Sequence, residues 1–240
     1  MTFFPHLIAG PIVQYRDMLP QFERMTVSSP TGRDLAAGVA LFAAGLFKKQ
    51  VIADPCGEVA DRLFTHAGTA GASVLDAWTG VFAYTGQLYF DFSAYSDMAL
   101  GLAHLFGIVL PRNFASPYRS ASIIEFWRRW HITLSGFLRN YLYIPLGGSH
   151  GGPAARYRNL MLVMLLGGLW HGAGWTFVMW GGLHGLYLCA NHAWRARGLA
   201  MPRLPAWVLT LLAVAFAWVL FRAPSPGMAL DIWEIGRAHV

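Results

Sequence analysis

Residues 126–148 read FWRRWHITLSGFLRNYLYIPLGG. From just upstream of this run, Ile123, Trp127, Trp130, Leu134, Phe137 and Tyr141 recur at steps of four and three. That spacing lays apolar side chains along one face of an α-helix. Arg128, His131, Ser135 and Arg139 fall on an adjacent side of the same predicted helix, and IPLGG closes it as a turn. A helix of this kind lies along a membrane interface or dips into the protein with its polar side lining a cavity. The same run packs Arg128, Arg129, His131, Ser135 and Arg139 into a chain otherwise built for lipid. Forty residues after His131, a second histidine, His171, sits in LLGGLWHGAGWTFVMWGG. Ionisable groups at membrane depth are costly, so both histidines are functional candidates.

The surrounding composition sets the solvent. The 240 residues are 55% hydrophobic and 12% charged, against roughly 25% charged in soluble domains. Aromatics make up 15%, with ten Trp, a density suited to membrane interfaces. The net charge of +6 sits beside apolar runs rather than interleaved with aromatics as on a nucleic-acid face, so no nucleic-acid partner is expected and lipid is. Cys56 and Cys189 are isolated, with no metal-ligand spacing, so no metal site is expected. The fold class is therefore an all-α polytopic membrane protein.

Span lengths of about 20 residues divide the chain into roughly six crossings. Leu35–Phe47 ends at Lys48-Lys49, a basic end that faces the cytoplasm. Residues 58–70 read as a polar loop or short helix. Val74–Phe90 and Phe92–Leu110 form two spans interrupted by Asp91 and Asp97 and stopped at Pro111. Leu160–Trp170 and Gly172–Ala190, rich in glycine, give one or two more, and Leu204–Phe221 is the last. Between them, Arg112, Arg119, Arg128, Arg129, Arg139, Arg156 and Arg158 oppose one acid, Glu125, which turns this belt to the cytoplasm. The opening MTFFPHLIAGPI has no basic n-region and no small-residue cleavage site, so it does not read as a signal peptide, and its abrupt apolar start leads us to expect a fragment. The chain ends in Glu234–Val240, EIGRAHV, which reads as an adaptor-derived tail. The expected organisation is a partial transmembrane domain over 1–233 and a non-native tail over 234–240.

Four runs occur in order: FFPHLIAGPI, YFDFSAYSDMALGLAHLFGIVLPRNFASPY, FWRRWHITLSGFLRNYLYIPLGG and GGLWHGAGWTFVMWGGLHG. Together they resemble the membrane-bound O-acyltransferase family, in the branch of the alginate O-acetyltransferase membrane subunit, over residues 3 to 222. The resemblance implies a helical bundle with a tunnel across the bilayer and interfacial amphipathic helices. It implies transfer of an acyl group from a thioester to a hydroxyl, with His171 catalytic and His131 as the second polar position. One local departure is Asn140, where many relatives carry Asp. The donor substrate is then acetyl-CoA or another acyl thioester, with no tightly bound cofactor. The implied partners are a periplasmic acetyltransferase and polysaccharide export machinery, at a bacterial inner membrane.

The chemistry agrees with the resemblance. A hydroxyl must lose its proton as it attacks, and a neutral imidazole can take it. His171 is the candidate base. His131, beside Arg128 and Ser135, is the candidate to orient the donor or polarise the thioester carbonyl. Arg128, Arg129, Ser135 and Arg139 are candidates to meet the phosphates of an anionic donor, with His184 in GGLHG as a further candidate. Other readings remain at this stage. D-alanyl or peptidoglycan acyl transfer fits the same family. A haem protein would use His171 and His184, but no second pair has that spacing. A transporter would use the buried aspartates and Gly-broken helices.

Overall fold

The computed structural model describes residues 3–6, 10–25, 29–66 and 73–237. Among these residues the secondary structure is helical, with no strand. The helices are α1 (Tyr15–Met25), α2 (Gly32–Phe47), α3 (Asp54–His66), α4 (Val74–Leu105), α5 (Ile123–Arg129), α6 (Ile132–Leu138), α7 (Gly152–His171), α8 (Trp175–Ala196), α9 (Arg203–Arg222) and α10 (Pro226–Ile235). π-helical turns at Lys48–Ala53 and Arg139–Tyr143 join α2 to α3 and extend α6. Of the reputed tail, Glu234 and Ile235 close α10, Gly236 accepts a 3.2 Å hydrogen bond from Trp78 Nε1, and residues 238–240 lie outside the described residues.

Two stretches are long and apolar enough to cross a membrane, Gly32–Thr65 and Arg203–Arg222, against the six expected. The difference lies in polar residues carried by the other long helices. α4 holds Asp76, Asp91 and Asp97, and α7 holds Arg156 and Arg158. Only 11% and 33% of the two apolar windows are buried within the chain, so their side chains face outward. A soluble core helix hides such a surface; here Leu204, Leu209 and Leu212 of α9 remain exposed. Trp170 and Trp175 are exposed together at the tip between α7 and α8, where amphipathic rings suit a membrane interface.

Three expected boundaries shift. The paired spans 74–90 and 92–110 are one helix, α4, about 48 Å long at 1.5 Å per residue. Asp91 and Asp97 do not break it because each finds a cation: Lys49 Nζ lies 2.7 Å from Asp91 and Lys48 Nζ 2.5 Å from Asp97. A capping box at Ser73 and Asp76 starts the helix. It ends at Leu105 rather than Pro111, because Gly107 turns into the left-handed region at φ 70°. The single amphipathic helix expected from Ile123 to Tyr141 is two helices, split at Trp130–His131. Ile123 and Trp130 of the stripe join the aromatic core and Leu134 is buried, whereas Phe137 and Tyr141 at its far end are exposed.

That core is aromatic. Trp180 of α8 and Trp218 of α9 stack at 5.6 Å, and Phe126 of α5 stacks on Trp130 at 5.6 Å. α7 and α8 meet at backbone distance. A Cβ on Gly181 would strike the Met164 carbonyl, and one on Gly168 the Phe177 carbonyl. Glycine at both positions is what permits the crossing. Gly181→Leu is expected to abolish recovery of folded protein from detergent, since overpacking of this kind costs about 1–3 kcal/mol or more. Gly136→Ala on α6, where a Cβ meets open space, is expected to leave the melting temperature unchanged or raise it.

Candidate active site

α7 ends at His171, where Gly172, Ala173 and Gly174 leave the helix before α8 begins. The imidazole is therefore at a helix end, not inside a helix. It is packed by three rings: Trp170 at 5.0 Å, Trp180 at 5.3 Å and Phe221 at 5.3 Å. Among the described residues these ring contacts, not hydrogen bonds, hold it.

His131 is held in the opposite way. It is 4% exposed, sits between α5 and α6 with φ 42° and ψ 55°, and packs edge-on against Phe92 at 4.8 Å. Its Nδ1 lies 3.0 Å from Asn113 Oδ1. The 113–115 segment runs beside it: Ile132 N donates to Asn113 O at 2.9 Å, and Ala115 N to Arg129 O at 3.0 Å.

Both histidines line one cavity of about 760 Å³, shared with Gly10–Val13, Phe92, Tyr95 and the ion pair of Lys49 and Asp91. His171 also lines a second cavity, of about 350 Å³, whose wall carries Arg128, Ser135, Arg139, Tyr143 and His192. His171 is thus common to two cavities of different chemistry. Each cavity takes a cationic residue from a π-helical turn, Lys49 in one and Arg139 in the other. Such turns displace side chains from the α-helical register and recur at functional sites.

The expected cluster of Arg128, His131, Ser135 and Arg139 on one helix side is therefore divided. Arg128, Ser135 and Arg139 share the smaller cavity, while the break at Trp130–His131 turns His131 into the larger one. Arg129 lines neither; it pairs with Glu125 at 2.8 Å and donates to the Ala115 carbonyl at 3.2 Å. His184 is fully buried in the aromatic core, 5.0 Å from Trp180, with its Nδ1 accepting from Trp127 Nε1 at 3.3 Å. Trp180 stands between it and His171.

The sequence reading missed two residues. Asn113 braces His131, and its signal was an amide set between Arg112 and Phe114 in a stretch without periodicity. Asn159 is buried on α7 and donates to the carbonyls of Leu146 and Gly148 at 3.0 and 2.9 Å, pinning the IPLGG turn.

A model of MBOAT, the membrane-bound O-acyltransferase family, matches residues 1–228. The chain belongs to this family. It is 49% identical to the peptidoglycan O-acetyltransferase of Helicobacter pylori over 97% of this chain and 44% of that protein. It is 48% identical to the probable alginate O-acetylase AlgI of Pseudomonas aeruginosa over 98% of this chain and 44% of that protein. The teichoic acid D-alanyltransferase of Streptococcus thermophilus is 30% identical over 81% of this chain and 49% of that protein. The chain spans about half the length of these curated relatives.

Membership gives the family against which the two cavities are read. His184→Leu is expected to lower thermal stability by about 1–3 kcal/mol, since it orphans the Trp127 N–H and deletes ring contacts. The melting temperature of the purified variant in detergent checks this loss.

Proposed function

We propose that this chain carries the catalytic centre of a multi-pass bacterial inner-membrane O-acetyltransferase. It takes acetyl from a cytosolic thioester such as acetyl-CoA and delivers it for O-acetylation of an exported polysaccharide such as alginate. The observation that carries the reading is that His171 borders both cavities, one cationic and one shared with His131. Arg128 and Arg139 suit the phosphates of a thioester carrier, because guanidinium groups form bidentate, charge-assisted hydrogen bonds to phosphate. Their position in an Arg-rich belt with a single acid supports a cytoplasmic side for that cavity.

In this mechanism the thioester enters from the Arg-lined cavity and the hydroxyl from the larger one. His171 accepts the hydroxyl proton as the oxygen attacks the thioester carbonyl. The carbon–oxygen bond forms and the carbon–sulfur bond breaks. The proton held by His171 passes to the departing thiolate, leaving an ester, a free thiol and a neutral imidazole. The aromatic wall of Trp170, Trp180 and Phe221 holds the ring and limits water at the reacting atoms.

Acetyl is favoured as the transferred group because relatives named for acetyl transfer stand at 47–49% identity, while D-alanyl-transferring relatives stand at 27–30%. Both acetylated polymers named among those relatives carry sugar hydroxyls. A periplasmic acetyltransferase and the export machinery are the partners that complete transfer outside the membrane.

His171→Ala in the whole protein is expected to abolish polymer O-acetylation while protein level and membrane insertion stay unchanged. Acetylation at the wild-type level would remove His171 from the mechanism. Arg128→Ala combined with Arg139→Ala is expected to raise the donor KM about tenfold or more with a smaller change in kcat, as for lost ground-state binding. Chemical release of acetate from purified exopolysaccharide and from peptidoglycan of a deletion strain identifies the acceptor.

A further inference from the structure

His131 and Asn113 form a bond whose proton is assigned by their neighbours. His131 Nδ1 and Asn113 Oδ1 are 3.0 Å apart. Either imidazole nitrogen can carry a proton, so the direction depends on which end of the amide faces the ring. The backbone N–H of Thr133 is an obligate donor, and it points to Asn113 Oδ1 at 3.4 Å. The Thr133 hydroxyl lies 3.0 Å from the same oxygen and itself accepts from the backbone N–H of Ile12 at 2.9 Å, which leaves its own proton for Asn113. On the far side, Asn113 Nδ2 donates to Ser96 Oγ at 3.4 Å. Turning the amide over would set an NH2 group against two donors. Oδ1 therefore faces His131, and only an imidazole protonated at Nδ1 completes the bond.

The brace is buried and rigid. Asn113 is 2% exposed and His131 4%. The Asn113 carbonyl holds Ile132 N, next to a histidine backbone in the left-handed region at φ 42°. A non-glycine residue keeps such a conformation only where its surroundings hold it.

We propose that Asn113 is a positioning residue that locks His131 in the Nδ1–H tautomer and leaves Nε2 as a lone-pair nitrogen. This rests on the reading of the shared cavity as an acyl-transfer site. It also changes the role open to His131. An unprotonated Nε2 has no hydrogen to give a thioester carbonyl, so His131 does not polarise it. It accepts a hydrogen bond instead. The single proton of the attacking hydroxyl goes to His171, so His131 orients the acceptor through a neighbouring donor, such as an adjacent sugar hydroxyl.

The test is the tautomer itself, read by 15N NMR on the whole protein labelled at histidine and held in lipid nanodiscs. His131 is assigned by the signals lost in His131→Gln. The expected wild-type result is a pyrrole-type Nδ1 and a pyridine-type Nε2. Asn113→Asp keeps the acceptor oxygen and is expected to keep that pattern. Asn113→Leu removes it and is expected to give a mixed or reversed pattern. In membrane vesicles supplied with acetyl-CoA, Asn113→Leu is expected to lower kcat about tenfold or more with donor KM within about twofold, while Asn113→Asp retains most of kcat. A protonated Nε2 in the wild type, or an unchanged tautomer in Asn113→Leu, overturns the proposal. If Asn113→Leu does not fold, the wild-type and Asn113→Asp spectra decide it. Transfer retained in His131→Ala would remove the catalytic reading while leaving the tautomer signal intact, so the two failures are separable.

Discussion

Where α7 crosses α8, Gly168 and Gly181 face one another with no side chain between the two backbones. The remainder of the site depends on that contact. With the helices at this distance, the chain leaves α7 at His171, turns through Gly172–Gly174, and returns with Trp180 against the imidazole at 5.3 Å. Trp180 in turn stacks on Trp218 and touches His184, so His171 stands on the aromatic core that these rings share. A side chain at either glycine separates the helices and removes the wall behind His171. Small residues serve this purpose in lipid, where apolar side chains gain little by leaving their solvent.

The second histidine obeys a different physics. His171 is confined by rings, which restrict its position but leave its nitrogens uncommitted. His131 is confined by a polar network running from Ile12 through Thr133 and Asn113 to Ser96. Buried polar groups in a low-dielectric setting are stable only when partnered, and a fully partnered chain is correspondingly stiff. The two histidines are thus held by different means, one by aromatic rings and the other by a buried hydrogen-bond network. The charged side chains follow the same economy. Lys48, Lys49, Asp91 and Asp97 would each oppose burial alone, and as pairs they allow α4 to run unbroken past the cavity.

Much of the helix content was legible from hydropathy, and α9 lies within one residue of its expected bounds at either end. The boundaries within α4 were misread because Asp91 and Asp97 look like breaks until Lys49 and Lys48 are seen beside them, forty-odd residues away in sequence. The stripe from Ile123 to Tyr141 was read as one helix; it is two, buried at Ile123, Trp130 and Leu134 but exposed at Phe137 and Tyr141. Periodicity reports which side chains meet the core and does not register a left-handed residue at His131 between two short helices. Asn113 was passed over for a related reason: its importance lies in a hydrogen bond to a residue eighteen positions on.

The sequence by itself determined the solvent, the helical class and the pair of histidines. Composition and local spacing carry that information, and ionisable groups in apolar runs are conspicuous. Tertiary structure decided which polar residues share a wall. It moved His131 away from Arg128 and Ser135, gave His171 a face in each of two cavities, drew Arg129 into an ion pair with Glu125, and enclosed His184 in rings. The physical reason is that these assignments depend on the angle at which short helices meet and on hydrogen bonds between distant segments, and neither leaves a periodic trace in the chain.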